Sequence, residues 1–467
     1  MPTPTPAYAR LSPKELSDLH GEATALFQEL LRLDTSNPPG DEIIAARALQ
    51  RTLEADDLNV EILEAAPGRA NLLCRLPAAE ATGQAPLLIA GHLDVVPAGD
   101  ESRWTHPPFA GTLADGYLWG RGAVDMKNMV TMGAMVMKLL ARRDVPLTRD
   151  IIFAAVADEE EGCTHGSRFL VETYPDKVRA GFALGEVGGF PQQAGKARVM
   201  PVQIAEKGVA WLRATTHGTP GHGAIPRADS APNTLARALF AFATKRLPQH
   251  NTPAVAAFIR QIAKLQPLPD RLVLPRLLQA RLAPTILDRV MPSGDATRIF
   301  DALLHNTVSP TVLRAGEKTN VIPDTASVEL DGRLLPGETA ASLIAELRDL
   351  LSDDLRNAID FSVLHEGPAA TNYPPDSPLW RAIGRAVARR GERALPVVPT
   401  MIPGFTDGAQ FSRLGTRWYG FSPVWLDLST GITFSELVHG VDERIPEDGF
   451  HWGLDLLWEV VVDFCAG

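Results

Sequence analysis

Thiols are scarce in this chain. Three cysteines (Cys74, Cys163 and Cys465) among 467 residues leave too few for a disulfide framework or a thiolate metal cluster. Positive charge is also in deficit. The formal net charge of −11 argues against a nucleic-acid partner, which wants a basic face. No uncharged apolar run reaches the roughly 18 residues of a membrane span, and the longest, over 129–140, predicts a buried helix. The opening Met1-Pro-Thr-Pro-Thr-Pro has neither the basic nor the apolar region of a signal peptide. A cytoplasmic protein without membrane contact is therefore expected. A Gly-x-Ser-x-Gly elbow is missing, which counts against a serine hydrolase. The run from Gly189 to Lys196 has five residues between its glycines and no hydroxyl after the lysine, so it falls short of a P-loop.

What is present begins with an apolar fraction of 45%, that of a globular chain. A length of 467 residues suits two domains, or one with a large insertion. The organising stretch is 86–126. There an apolar run, Leu87 to Ala90, breaks at Gly91 into His92-Leu93-Asp94, and Trp119-Gly120-Arg121-Gly122 leads on to Asp125-Met126-Lys127. An apolar run that stops at a glycine and then presents a His and a carboxylate predicts a buried strand delivering ligands at its carboxyl end. Alternation along a strand points His92 and Asp94 the same way, one toward a metal and the other steadying the ring or sitting just behind it. The device recurs. Ile151 to Ala157 runs into Asp158-Glu159-Glu160-Glu161-Gly162, and Gly181 to Leu184 leads to Glu186. Three such strands predict an α/β sheet with its site along one edge. Helical periodicity runs from Pro13 to Leu33 behind a Ser12 cap, and Asp115-Gly116 signals a hairpin.

After about residue 206 the texture changes. A strand over 209–215 precedes a glycine- and proline-rich loop, Gly218 to Pro226, which holds His222. A helix over 231–245 follows, then a mostly helical stretch over 252–306. Strands over 311–315, 326–334 and 360–364, with a helix over 340–351 between the last two, complete the segment. The helical stretch aside, this is β-α-β-β-α-β, a ferredoxin-like order in a self-contained insertion. A helix returns from Pro378, and the tail carries His439-Gly440-Val441-Asp442-Glu443.

The candidate ligands are His92, Asp125, Glu160, Glu186 and His439. Imidazole and carboxylate without thiolate suit zinc, cobalt or manganese in a catalytic site. Taken singly, each is more often a buried polar group or part of a solvated loop. Together they stand in the order Gly91-His92-Leu93-Asp94, Gly120-Arg121-Gly122-x-x-Asp125-Met126-Lys127, Asp158-Glu159-Glu160-x-Gly162, Gly185-Glu186 and His439-Gly440-x-Asp442-Glu443. That order resembles the dinuclear zinc metallopeptidases and amidohydrolases, the family of aminoacylase, acetylornithine deacetylase, succinyl-diaminopimelate desuccinylase and the glutamate and vacuolar carboxypeptidases. The resemblance spans nearly the whole chain.

It implies an α/β fold of zinc-peptidase type, a mixed sheet flanked by helices and interrupted by an α+β ferredoxin-like lid and dimerisation domain. The catalytic domain would occupy 1–205 and 366–467, and the insertion 206–365 with its helical elaboration near 252–306. One metal would be held by His92 and Glu186 and the other by Glu160 and His439, with Asp125 bridging them before a cis Asp125–Met126 peptide. Asp94 would hydrogen-bond His92 and fix its tautomer. Glu159 would be the general base, facing away from the ligand Glu160 on an extended segment; a register shifted by one is the alternative, since Glu161 adjoins them. His222 would reach in from a partner subunit as an oxyanion donor, implying a homodimer, with a surface-loop histidine the plainer reading. Asn320 and Arg333 match positions that grip a substrate carboxylate, although a structural ion pair is open for Arg333. The loop 403–408, with Gly404 and Thr406, resembles the family's substrate-binding loop.

The implied activity is hydrolysis of an amide or peptide C–N bond next to a free carboxylate, in a small-molecule substrate. Carboxypeptidase, dipeptidase and N-acyl-amino-acid hydrolase are not separated by these residues. The implied cofactors are two divalent metals, zinc foremost, with cobalt and manganese also suited. Asn128 stands where a glycine commonly follows Asp-Met-Lys, a departure that bears on the local turn. The helical stretch 252–306 is longer than in the desuccinylases and, with Tyr419-Gly420-Phe421-Ser422-Pro423, leans toward the vacuolar carboxypeptidase and N-acyl-amino-acid hydrolase branch. A binding or regulatory protein that kept the fold without turnover is the alternative. The intact Asp94, Glu159 and five ligands argue against it.

Overall fold

The computed structural model describes residues 7–80, 82–291 and 295–466. The proline-rich opening over 1–6, on which the signal-peptide reading rests, lies outside the described residues. Two compact units emerge. The first runs to Ile204 and takes in Tyr373–Thr400 and everything from Thr406; the second comprises Ala205–Asn372 and Met401–Phe405.

The first unit is built on a nine-stranded mixed sheet. At its centre Leu87–His92 pairs in parallel with Ile151–Val156 on one side and Phe182–Gly185 on the other. Arg417–Gly420 extends the parallel set beyond Phe182–Gly185, and antiparallel pairs flank it, Arg69–Leu76 beside Ile151–Val156 among them. The two central strands are buried at every position, as expected of parallel strands covered on both faces, and this is why they read as unbroken apolar runs. Helix Lys127–Arg142 lies against Leu87–His92 and is buried from Lys127 to Leu140. Close approach here depends on Gly133, where a Cβ would stand 2.7 Å from the Phe153 ring. Helix Pro13–Leu31 carries the expected cap: Glu15 N donates to Ser12 Oγ and Ser12 N to the Glu15 carboxylate, a capping box. The Asp115-Gly116 hairpin joins Thr112–Ala114 to Tyr117–Trp119. Both turn residues have positive φ, 52° and 78°, as a type I′ turn requires.

In the second unit, Thr307–Ala315, Thr325–Leu334, Gly208–His217 and Ile359–Glu366 form an antiparallel sheet in that spatial order. In chain order this is strand two, three, one, four. Along Thr325–Leu334 burial alternates residue by residue, so one face is dry. Helices Ala231–Thr244 and Ala340–Asp349 cover that face through Leu235, Leu343 and Leu347, packed with Leu212, Val328 and Leu330. The other face presents Trp211, half exposed. The stretch expected to be helical holds Pro253–Leu265, Ala283–Arg289 and Asp295–Leu304.

Candidate metal centre

Three parallel strands deliver their acidic or imidazole residues to one edge of the first unit's sheet. His92 is the last residue of its strand, Glu159 and Glu160 follow Ile151–Val156, and Glu186 follows Phe182–Gly185. Asp125 enters from the turn ahead of helix Lys127–Arg142, and the Asp125–Met126 peptide is cis, as is Glu186–Val187. His439 arrives from the C-terminal loop with a left-handed backbone, φ 58°.

These side chains form two groups that share one aspartate. His92 Nε2 lies 3.0 Å from Asp125 Oδ1 and 3.5 Å from Glu186 Oε2. His439 Nε2 lies 3.2 Å from Asp125 Oδ2 and 3.3 Å from Glu160 Oε2. Asp125 thus offers one oxygen to each histidine. Ligands placed about 2.1 Å from a tetrahedral ion are about 3.4 Å apart, so both groups have the spacing of donors around a cation. Glu160 Oε1 is buried without a hydrogen-bond partner, an unmet acceptor of the kind a cation satisfies. The donor set therefore fits a pair of divalent cations. Donor atoms of His92, Glu159 and Glu186 also lie within 4.8 Å of one another, so Glu159 stands beside the group rather than apart from it.

Packing so many carboxylates together shifts their protons. Burial pushes Glu186 up to about 8. Burial, with the charge of Glu186 next, raises Glu159 well above the usual carboxylate range. Burial alone would lower His92, but the carboxylates of Asp125 and Glu186 outweigh it and hold the ring well above its ordinary value. Hydrogen bonds to Asp125 and Glu160 raise His439 to about 10. Against burial, the two histidines keep Asp125 below the carboxylate range. In the metal-free cluster, protons supply the positive charge.

This edge differs from expectation in two details. Asp94 does hydrogen-bond the His92 ring, but not through its carboxylate. Instead His92 Nδ1 donates to the Asp94 backbone carbonyl at 2.9 Å, while the nearest carboxylate oxygen is 3.6 Å away. The strand ends at His92, so alternation no longer governs Asp94. Its carboxylate accepts from Glu159 N at 3.1 Å, Glu160 N at 3.2 Å and Asn37 Nδ2 at 2.9 Å. Second, Glu159 and Glu160 lie in a turn, not an extended segment: Asp158 has φ 65°, and Gly162 N donates to the Glu159 carbonyl. What separates the roles of the two glutamates is this turn, pinned by Asp94.

Sequence reasoning missed the layer behind. Asn37 Nδ2 also donates to Asp158 Oδ1 at 3.0 Å, and Arg69 pairs with Asp158 and Glu42. Nothing in the local sequence around Asn37 or Arg69 announces these contacts. Asp407, in the loop 403–408, is buried; burial pushes its carboxyl up to about 6, and its Oδ1 has no hydrogen-bond partner. Its neighbour Thr406 is buried and accepts from Gly408 N through Oγ1.

The second unit holds the remaining candidates. His222 and Asn320 come together on a two-stranded ribbon in which Gly221–His222 pairs with Val321–Ile322 and Gly223 N donates to the Asn320 carbonyl. Both residues are exposed. Ala224 N donates to His222 Nδ1 at 3.1 Å, which leaves Nε2 as the protonated nitrogen of the neutral ring. The ribbon does not include Arg333, whose guanidinium makes a bidentate pair with Asp331 at 2.8 and 3.0 Å. The Gly404 carbonyl accepts from Lys207 N. His250, Glu338 and Glu346 also gather in this unit, but the ring turns Nδ1 to Glu338 and Nε2 to Glu346, a clamp between two carboxylates rather than a shared ligand geometry.

The chain is 29% identical over 370 residues to the N-fatty-acyl-amino acid synthase/hydrolase PM20D1 of Xenopus tropicalis, covering 78% of this chain and 69% of that protein. It is 26% identical over 439 residues to aminoacylase-1 of Homo sapiens, covering 93% of each. The crystal structure of the M20 family metallo-carboxypeptidase Sso-CP2 from Sulfolobus solfataricus superposes with a TM-score of 0.66 at 17% identity, over 95% of this chain and 99% of that one, a likeness of fold. Residues 88–463 match peptidase family M20/M25/M40, and with most of its length so matched, from the central strand to the C-terminal helix, the chain belongs to that family.

Proposed function

We propose that the protein is a metal-dependent hydrolase of an amide C–N bond next to a free carboxylate, and that N-acyl amino acids are its substrates in preference to peptides. The observation that carries the hydrolase reading is the division of Asp125 between two donor groups, Oδ1 toward His92 and Oδ2 toward His439. In this reading His92 and Glu186 hold one divalent metal, Glu160 and His439 the other, and Asp125 both. Zinc is the metal proposed, with cobalt and manganese as substitutes the same ligands accept. When bound, such a pair lowers the pKa of a water and polarises the carbonyl to be attacked.

The rest belongs to the chain's own side chains. Glu159, buried and held above the carboxylate range, takes the proton of the water and returns it to the departing amine nitrogen, the task of a general base with a tuned pKa. Asp94 fixes the turn that aims it. His222 supplies the Nε2–H donor for the oxyanion, contributed by the second copy of a homodimer. Asn320, Arg333 and the loop carrying Gly404 and Thr406 form the grip on the substrate carboxylate. The preference for N-acyl amino acids is supported by the relatives, since PM20D1 and aminoacylase-1 are both named for that chemistry. Among the described residues no helix is long and apolar enough to cross a membrane. A cytoplasmic location forms part of the proposal, in keeping with three buried cysteines that remain free thiols.

A panel of N-acyl amino acids and dipeptides, assayed with zinc, cobalt and manganese, tests the reading. Turnover of the acyl panel at higher kcat/KM than the dipeptides is expected. Turnover of neither panel with any metal overturns it.

A further inference from the structure

Glu443 touches neither histidine, yet its carboxylate is saturated by the segment that carries Asp125. Oε1 accepts from Val124 N at 2.7 Å and from Asp125 N at 3.1 Å; Oε2 accepts from Gly122 N at 3.1 Å and from Arg121 Nη1 at 2.6 Å. Each oxygen takes two donors, and both partners of the Arg121–Glu443 pair are almost fully buried. The same guanidinium turns Nη2 toward the His439 carbonyl at 3.4 Å. Backbone pairing sets the register: Arg444 lies opposite Trp119, and Gly120 N donates to the Glu443 carbonyl at 3.0 Å. The five residues from His439 to Glu443 therefore supply both an imidazole that meets Asp125 Oδ2 and the template on which the Asp125 backbone rests.

We propose that Arg121 and Glu443 are positioning residues that set Asp125 against His439, and so determine the affinity of the cation held on the His439 side. This rests on the two-metal reading above. His439 is half exposed, whereas His92 is wholly buried, so the His439 side is the one that depends on an external template. A carboxylate is required at position 443. Glutamine would turn an NH₂ group toward two N–H donors whichever way its amide lies, because all four donors are already in place. Groups that orient metal ligands typically change metal affinity by 10–100-fold when removed.

The test is zinc binding by the full chain, read by elemental analysis after dialysis and by titration of the metal-free protein against a chromophoric chelator. Wild type is expected to hold two zinc ions per chain. Glu443→Gln is expected to keep one through dialysis and to bind the second 10–100-fold more weakly, with KM for substrate unchanged once zinc is saturating. Arg121→Lys, which keeps the charge but loses the reach to the His439 carbonyl, is expected to weaken the same site by a smaller factor; it decides the matter if Glu443→Gln fails to fold. Two zinc ions bound at wild-type affinity in the variants, beside a wild type that also binds two, overturn this inference and leave the two-metal reading standing. A wild type that binds fewer than two removes that reading, and this one with it.

Discussion

The Asp94 carboxylate accepts the backbone N–H of Glu159 through one oxygen and that of Glu160 through the other. The aspartate thereby acts on the two glutamates rather than on the histidine two residues before it. Asp94→Asn is the informative change. The Asp94 side chain faces three N–H donors, from Glu159, Glu160 and Asn37, and an amide would oppose at least one of them with a donor of its own. Leaving a buried donor unsatisfied costs about 1–3 kcal/mol, and a displacement of catalytic groups on the order of 1 Å costs about 10²-fold in rate. The expected outcome is a fall in kcat of that order, with KM nearly unchanged and a lowered urea midpoint. A kcat within a few-fold of wild type would return Asp94 to a role in the protein scaffold alone.

Glu159 and Glu160 adjoin in sequence and are expected to separate completely in experiment. Glu160 faces His439 at 3.3 Å; Glu159 sits among His92 and Glu186. Glu159→Ala should retain near-normal metal content while losing about 10²–10⁴-fold in turnover, the usual range for a general base. Glu160→Ala should lose metal first and activity as a consequence, with partial recovery at high zinc. Elemental analysis beside steady-state rates distinguishes the two. Near-normal activity in Glu159→Ala, with Glu160→Ala keeping metal and losing turnover, would establish instead the register shifted by one, with Glu161 as the ligand.

Much of this was legible in the chain because burial on both faces leaves a simple trace. Leu87–His92 and Ile151–Val156 are continuous apolar runs for the same reason that they are central parallel strands. Asp115-Gly116 announced its turn because few residues adopt positive φ at both positions. The residues proposed as ligands stand at strand ends or in loops, where a carboxylate or imidazole interrupts an apolar pattern. What stayed hidden were contacts made across long sequence separations by residues in irregular backbone. Asp94 lies two residues past the end of its strand, where period-two reasoning fails. Asn37 and Arg69 come from segments with no local pattern that marks them, and Glu443, although it closes the His439 motif, shows nothing there of the backbone it holds. The pairing of the His222 loop with the Asn320 loop is likewise a product of tertiary folding, since glycine and proline in both sequences signal only turns.

Arg333 carries two demands, because the fork proposed to bind a substrate carboxylate is engaged by Asp331. The pair is about three-tenths exposed, and ion pairs of that kind contribute only about 0–1 kcal/mol, so a substrate carboxylate can take the place of Asp331 at little cost. Arg333→Ala is expected to raise KM about tenfold for carboxylate-bearing substrates, to leave kcat within a few-fold, and to change stability by less than about 1 kcal/mol. An unchanged KM would make the pair purely structural. Asp331→Asn sharpens the test, since freeing the fork should lower KM if the guanidinium grips substrate.

The protonation of the empty cluster makes metal uptake a proton-releasing event. His439 stands near 10 and Glu186 near 8 without metal, so at pH 7 both carry protons that a cation must displace. Calorimetry of zinc binding at pH 7 in buffers of different ionisation enthalpy should report release of at least one proton per chain. Affinity should strengthen as pH rises from 6 and level off only above about 10, once the His439 ring has lost its proton. Stability of the metal-free chain should move the other way. The raised pKa of His439 contributes stability that is fully present below the ring's unfolded value, about 6.5, and is lost as pH rises through about 10. Thermal melts of the metal-free and zinc-loaded protein across this range should therefore diverge with increasing pH. Parallel curves would mean that the histidines and carboxylates titrate independently of the metal, which the 3.0–3.5 Å spacing of the cluster does not allow if it is where the cations bind.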